Sequence, residues 1–368
     1  MVYEITGSGA LLGAVMGVRA IPMVLLTPVS GMAADRWDRR RLMQASQALA
    51  AAVSLAFGVA LALDTVSLWM LFAFTMLMGA SNVMDRPARF TTALELVPRE
   101  LGVKAVALNT IGFSLARVVG PALAGYLIAA VGGAGSFFLQ GVLYAASGFM
   151  VLAVAFPARR PRKTERSAFA DMLEGLRFAM HDPRTRVLLL VGALPFFLLI
   201  PVFGTLYPIY AKDEFAAGPA GLGLLLTAVG IGGTLGGFIA NALGHSERQG
   251  FIQAAWVVVM SASIVGVALS PSLALAIVFS VIGGAAEMAH ASSNMAMLQM
   301  SAPEGMRGRI SALLMLNPAF ISLGAFVAGP LSDAVGVRNA SVILAAAAAA
   351  GVVVLYLVSP VLRELRHK

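Results

Sequence analysis

The sequence predicts an all-α polytopic membrane protein, on three observations. Of 368 residues, 59% are hydrophobic and only 12% charged, about half the charged share of a soluble domain. Apolar runs long enough to cross a hydrocarbon layer of roughly 30 Å follow one another along the whole chain. The short polar segments between them alternate between strongly basic and nearly free of Lys and Arg.

The composition narrows the chemistry. The 38 Gly and 19 Met suit closely packed membrane helices, and the absence of Cys removes disulfides, thiolate chemistry and cysteine metal sites. A net charge of +8 does not read as a nucleic-acid surface, because the charges sit in short connections rather than on one basic face. Residues 1–9 have neither the basic start nor the apolar core of a cleavable signal peptide. Neither G-x-x-x-x-G-K-[ST], H-E-x-x-H nor G-x-S-x-G occurs, so no enzymatic activity or ATP hydrolysis is expected. His181, His245 and His367 have no metal-ligand spacing, and no metal site is expected.

Taken in order, apolar runs bounded by charges or Pro/Gly clusters predict helices at 10–33, 42–63, 67–92, 103–131 and 134–156, a first bundle of five within 1–156. Runs at 187–211, 218–243, 250–269, 272–300, 306–332 and 337–360 make a second bundle of six within 187–368. The segment 157–186 joins them. Its first part, 158–166, is basic and solvated; from Ser167, a candidate N-cap, Phe169, Met172, Leu173, Leu176 and Met180 recur at helical spacing until Asp182-Pro183. That pattern predicts an amphipathic helix on the membrane surface, acting as a strap between bundles.

The loops sort into two kinds. Arg36, Arg39, Arg40 and Arg41, then Arg86, Arg89, Arg99 and Lys104, the cluster at 159–186, Arg248, Arg307 and Arg309, and the C-terminal Arg363, Arg366 and Lys368 mark one side. The intervening loops carry only Lys212 and Arg338. Because Lys and Arg are retained on the cytoplasmic side during insertion, the basic loops and the C-terminus are expected inside a bacterial inner membrane, with the N-terminus outside.

A repeat crosses the linker. Residues 98–108, PRELGVKAVAL, align with 303–313, PEGMRGRISAL, and Gly120-Pro121 answers Gly329-Pro330 at the same place in its block. Two parallel halves related by an axis along the membrane normal follow, with a solute site between them. Five plus six reads as six plus six without its first helix, so twelve helices are expected of the complete architecture.

The segment Gly31-Met-Ala-Ala-Asp35-Arg36-Trp-Asp38-Arg39-Arg40 follows the first helix and resembles the major facilitator superfamily signature G-x-x-x-D-R-x-G-R-R/K, with Asp38 where the family has Gly. Ala116-Arg117-Val-Val-Gly120-Pro121-Ala-Leu-Ala-Gly125 is similar to G-x-x-x-G-P-x-x-G-G of its antiporter branch, with Ala for Gly at 116 and 124. Asp85-x-Pro-Ala-Arg89, the Val-Pro turn at 97–98 and the stretch 105–125 look like the branch containing enterobactin exporters and macrolide efflux proteins.

The resemblance implies alternating access, without a cofactor and with the proton gradient as energy source. It also implies a conformational latch in which the Asp35 carboxylate faces a helix N-terminus near 306–311. Gly31, Arg36, Arg39, Arg40, Asp85 and Arg86 belong to that latch and gate network.

Ionisable groups at membrane depth are the remaining candidates, because such a group must pair or line a wet cavity. Arg19, Arg117 and Glu287 qualify, with His290 one turn beyond Glu287. Glu287 is either a proton-responsive group or half of a structural ion pair with an arginine. Asn109 and Asn294 either line the cavity or bond between helices. Gly232-x-x-x-Gly236 and Gly233-x-x-x-Gly237 read as helix contacts.

The expected function is secondary active export of a small amphipathic solute by a monomer in the lipid bilayer. An uncoupled facilitator and a non-transporting scaffold or truncated fragment are the alternatives.

Overall fold

The computed structural model describes residues 2–27, 38–154, 156, 168–244, 246–314 and 316–365. Among the described residues, ten helices are long and apolar enough to cross a bilayer. One of them, Lys104–Ala153, has 50 residues and would run about 75 Å if straight, more than twice the hydrocarbon thickness. It breaks at Gly132, where φ is 72° and ψ 177°, a left-handed conformation that glycine adopts without a Cβ penalty. This run is therefore long enough for two crossings, which makes eleven among the described residues.

The elements are α1 (Val2–Thr6), α2 (Gly9–Val18, its apolar span continuing to Thr27), α3 (Arg39–Ala62), α4 (Leu68–Glu95) and α5 (Gly102–Ala153). Then come the linker helix α6 (Ala168–His181), α7 (Pro183–Leu198), α8 (Gly218–Leu243), α9 (Gln249–Leu269) and α10 (Leu273–Ser301). The last are α11 (Arg307–Leu314), α12 (Asn317–Val335), α13 (Val337–Val358) and α14 (Pro360–Arg363).

The run expected as one helix at 306–332 is two, because the helix restarts at Asn317 with Pro318 in its first turn, a residue that has no N–H to continue a preceding helix. The span after α7 runs to Glu214 through two wide π-helical turns, Val202–Leu206 and Tyr210–Glu214. Pro201 and Pro208 bracket the first of these turns, and each withholds one backbone donor there.

Packing groups the chain into two units. One comprises Val18–Ala116 and Leu127–Asp171. Its helix α3 turns Leu42, Met43, Ser46, Gln47, Ala50, Ser54 and Phe57 inward at helical spacing. Ser46 and Ser54 return their hydroxyls to the carbonyls four residues back, at 2.9 and 2.7 Å, so no hydroxyl donor is stranded. Phe57, Phe74 and Phe137 stack from three crossings, with centroids 4.9 to 5.2 Å apart.

The other unit comprises Met1–Gly17, Arg117–Tyr126 and Met172–Lys368. Its core includes Tyr207 and Tyr210, both fully buried. The Tyr207 hydroxyl meets Ser280 Oγ at 2.9 Å, and that of Tyr210 donates to Ser341 Oγ at 3.1 Å. Large apolar side chains such as Leu108, Phe149, Phe238 and Val358 are exposed, the pattern of helices whose outer faces meet lipid.

Asp38, the departure from the family's glycine, has a physical reason. It adopts φ −64° and ψ 112° as the N-cap of α3 and accepts from the Arg40 N–H at 2.9 Å and the Arg41 N–H at 3.4 Å. No positive φ is needed there, and a capping side chain is. Asp38→Ala should lower stability by about 1 kcal/mol, measurable as a small downward shift of the detergent-solubilised melting temperature.

In the linker helix α6, Gly175 lies against the Arg309 carbonyl and Ala179 is buried, while Leu173, Leu176 and Met180 are exposed. Glu174 pairs with Arg309 at 2.7 Å. Ser167 lies outside the described residues. Asp182 caps α7 by accepting from the Thr185 N–H at 2.7 Å, and Pro183 follows in the first turn, so the pair that ends α6 also starts its successor.

Candidate functional site

Helix α8 carries glycine on two opposite faces. Cβ atoms on Gly232 and Gly236 would lie 1.9 and 2.1 Å from the Val281 and Ala285 carbonyls of α10. Gly284 of α10 returns the contact, at 2.1 Å from the Val229 carbonyl. On the other face, Gly223 and Gly230 meet α5 at the Pro121 and Arg117 carbonyls, at 2.7 and 2.5 Å.

Pro121 is why this approach is useful. It has no N–H to return to the carbonyl four residues earlier, which is that of Arg117. The Arg117 carbonyl instead faces α8 closely at Gly230, and Thr227 donates to the next carbonyl, Val118 O, at 3.0 Å. Gly125 completes the contact, its Cβ position 2.6 Å from the Pro219 carbonyl. The Gly120 Cβ position meets nothing within 4 Å.

From this segment the Arg117 side chain crosses α8 over Gly233, whose Cβ would stand 3.6 Å from the guanidinium carbon, and reaches Glu287 of α10 at 2.5 Å. The two side chains are 26% and 13% exposed, so neither charge is well solvated and each depends on the other. Two of the charges expected at membrane depth are thus brought together. His290 takes no part in the pair; it is buried against the Val191 and Gln253 backbone.

Asn294 donates to the Leu188 carbonyl at 2.9 Å and so ties α10 to α7, the interhelical alternative left open for it. Asn109 is exposed on α5. Arg19 belongs to the other unit, beside Pro22 and the bare surface of Gly79. Among the described residues no group of His, Asp and Glu could hold a metal ion.

At the end marked by basic loops, Arg39 is buried and pairs with Glu95, and Arg40 donates to the Leu152 carbonyl. Asp85 pairs with Arg89, the first and last residues of the Asp85-x-Pro-Ala-Arg89 phrase, one helical turn apart. Arg89 also donates to Ser147 Oγ at 3.1 Å. Gly31, Asp35 and Arg36 lie outside the described residues, as does the Arg86 side chain.

The opposite end holds a cluster within loops that the sequence marks only by their scarcity of Lys and Arg. Asp333, at the end of α12, accepts from Ser8 Oγ at 2.8 Å and from the Gly9 and Ala10 N–H groups at 2.7 and 2.9 Å. Tyr3 donates to Asp213, and Arg338 pairs with Glu214 at 2.6 Å. Burial and the Asp213 carboxylate push the Tyr3 phenol up to about 12, so it remains a donor at physiological pH. These partners are more than a hundred residues apart, and no local pattern links them.

The family profile of transmembrane secretion effectors matches residues 1–366. The chain belongs to that family, within the major facilitator superfamily. It is 29% identical to the multidrug efflux pump Tap of Mycolicibacterium fortuitum over 386 aligned positions, covering 99% of this chain and 91% of the relative. It is 26% identical to the enterobactin exporter EntS of Escherichia coli O9:H4 (strain HS) over 344 positions, covering 92% and 80%.

In fold it is similar to a bacterial homologue of the human lysosomal transporter Spinster, with a TM-score of 0.72, 16% identity, and coverage of 98% of this chain and 91% of that one. The nucleoside transporter NupG gives 0.69 at 17% identity over 98% and 91%. The chain is therefore a multi-pass membrane protein of a bacterial efflux-transporter family, and its relatives are transporters.

Proposed function

We propose that this protein exports a small amphipathic solute from the bacterial cytoplasm in exchange for protons. It works as a monomer in the inner membrane, with its basic loops and C-terminus inside. The reading that the solute is a lipophilic drug or siderophore is supported by the efflux pump and siderophore exporter among its relatives. The observation that carries proton coupling is the Arg117–Glu287 pair, which joins the Gly120-Pro121 element to α10 across a glycine-paved helix.

A proton on Glu287 cancels the charge that holds Arg117. The segment Arg117–Tyr126 then keeps its backbone contacts with α8 but loses its ionic tie to α10, and the balance between transport states shifts. Deprotonation restores the tie. On this reading Arg117 and Glu287 act together rather than Glu287 with His290.

The test is transport in inverted vesicles, with a carried solute first found from a panel of lipophilic drugs and catecholate siderophores. Glu287→Gln should abolish uptake driven by a pH gradient while leaving solute exchange intact. Driven uptake equal to wild type would remove the proposal in favour of an uncoupled facilitator.

A further inference from the structure

The N-terminus of α2 is satisfied by a residue more than three hundred positions away. A helix leaves its first N–H groups without partners inside the helix. Here Ser8 caps the Leu11 N–H at 3.2 Å, and Asp333 accepts from both Gly9 and Ala10 while taking the Ser8 hydroxyl proton. Below this cap the two helices touch backbone to backbone. Cβ atoms on Gly9 and Gly13 would stand 2.9 and 2.3 Å from the Gly329 and Ala325 carbonyls, and one on Gly329 would stand 2.2 Å from the Gly9 carbonyl.

Three features distinguish this contact from a static brace. First, Asp333 is exposed and Ala10 half-buried, although Gly9 is buried, so water can reach the carboxylate and take over its bonds when the helices part. The contact is therefore reversible at modest expense, more so than the half-buried Arg117–Glu287 pair. Second, the carboxylate stands at the positive end of the helix dipole, where a negative charge is favoured over a neutral group of the same shape. Third, Asp333 sits in Gly329-x-x-x-Asp333-x-x-Gly336-x-Arg338, which repeats the spacing of Gly31-x-x-x-Asp35-x-x-Asp38-x-Arg40 at the far end of the first span.

We propose that Asp333 is a positioning residue of the transport cycle: an outer latch that holds the extracellular end of α2 against α12 and is released when the protein opens outward. This rests on the alternating-access reading, but it requires neither a known solute nor proton coupling.

The experiment uses the cysteine-free chain with one cysteine at a time. Met16→Cys, in the first span below the cap, is labelled with a membrane-impermeant maleimide on intact cells. Ser311→Cys, at the basic end, is labelled in inverted vesicles. Adding Asp333→Ala should raise labelling at position 16 about fivefold, the scale of losing a helix cap, and lower labelling at 311.

Opposite signs at the two ends are the signature of a latch, because a brace whose loss merely loosens the fold raises both. Unchanged labelling at 16, or a rise at both positions, overturns the proposal. If Asp333→Ala does not accumulate in the membrane, Ser8→Ala, which removes both the donor to Asp333 and the cap of the Leu11 N–H, carries the same test with an expected rise of about fivefold. With the proton gradient collapsed by an uncoupler in both preparations, and with no solute needed, failure of this test is separable from failure of proton coupling at Glu287.

Discussion

Leucine in place of Arg117 should destabilise the protein by roughly 1–3 kcal/mol, the scale of leaving a half-buried charge without its partner. Glu287 is 13% exposed, and without Arg117 its carboxylate has lost the cation that compensates its burial. The double variant Arg117→Leu/Glu287→Leu should recover most of that loss, since an apolar pair leaves no charge behind. Melting temperatures of the purified variants in one detergent measure both. Transport separates stability from mechanism, because the double variant should be folded and yet unable to use a pH gradient. A double variant no more stable than Arg117→Leu would mean that Glu287 was never sustained by the pair.

Gly232→Leu should be at least as damaging, at about 3 kcal/mol or more, and is expected to prevent accumulation in the membrane. The added Cβ would meet the Val281 carbonyl at 1.9 Å, and a backbone atom held in a helix cannot turn aside as a side-chain tip can. Gly284→Leu fails for the reciprocal reason, at 2.1 Å from the Val229 carbonyl. The control lies five residues beyond Gly232. Gly237 has open space at its Cβ position, so Gly237→Leu should accumulate as wild type does. Membrane protein levels on an immunoblot compare the three, and equal levels for Gly232→Leu and Gly237→Leu would show that α8 and α10 do not pack through glycine.

That contrast also marks where sequence reasoning reaches its limit. Two overlapping Gly-x-x-x-Gly pairs are legible in α8, and nothing in their spacing tells which one a neighbour covers. The structure gives Gly232 and Gly236 to α10, places Gly233 beside Arg117 and leaves Gly237 open. The spans themselves are legible because lipid imposes a length and a composition on every crossing, and basic loops mark every second connection. Turns inside those spans are not. The wide turn at Val202–Leu206 and the restart at Asn317 depend on Pro201 and Pro318, and a proline in an apolar run can equally well be absorbed by a kink.

Among the site residues, Arg117 and Glu287 stand out individually because charges are scarce at that depth. Their partnership spans 170 positions and depends on the bare surface of Gly233, which no local pattern announces. Asp333 is the reverse case. Its loop looks unremarkable beside the arginine-rich ones, since a charge gauge weighs how many ionisable groups a connection has and not which backbone donors they serve. Asp38 departs from a glycine pattern in the sequence and is a helix cap in the structure.

The reversal at Gly132 has a mechanical consequence. With one residue in a left-handed conformation and no loop between them, the outgoing and returning crossings of α5 share a single-residue turn with little spare chain to absorb a displacement. A tilt of the outgoing rod from Leu127 onward must then be handed across the hairpin to Phe137 and its aromatic neighbours, so the two arms behave as a single lever with its elbow at Gly132.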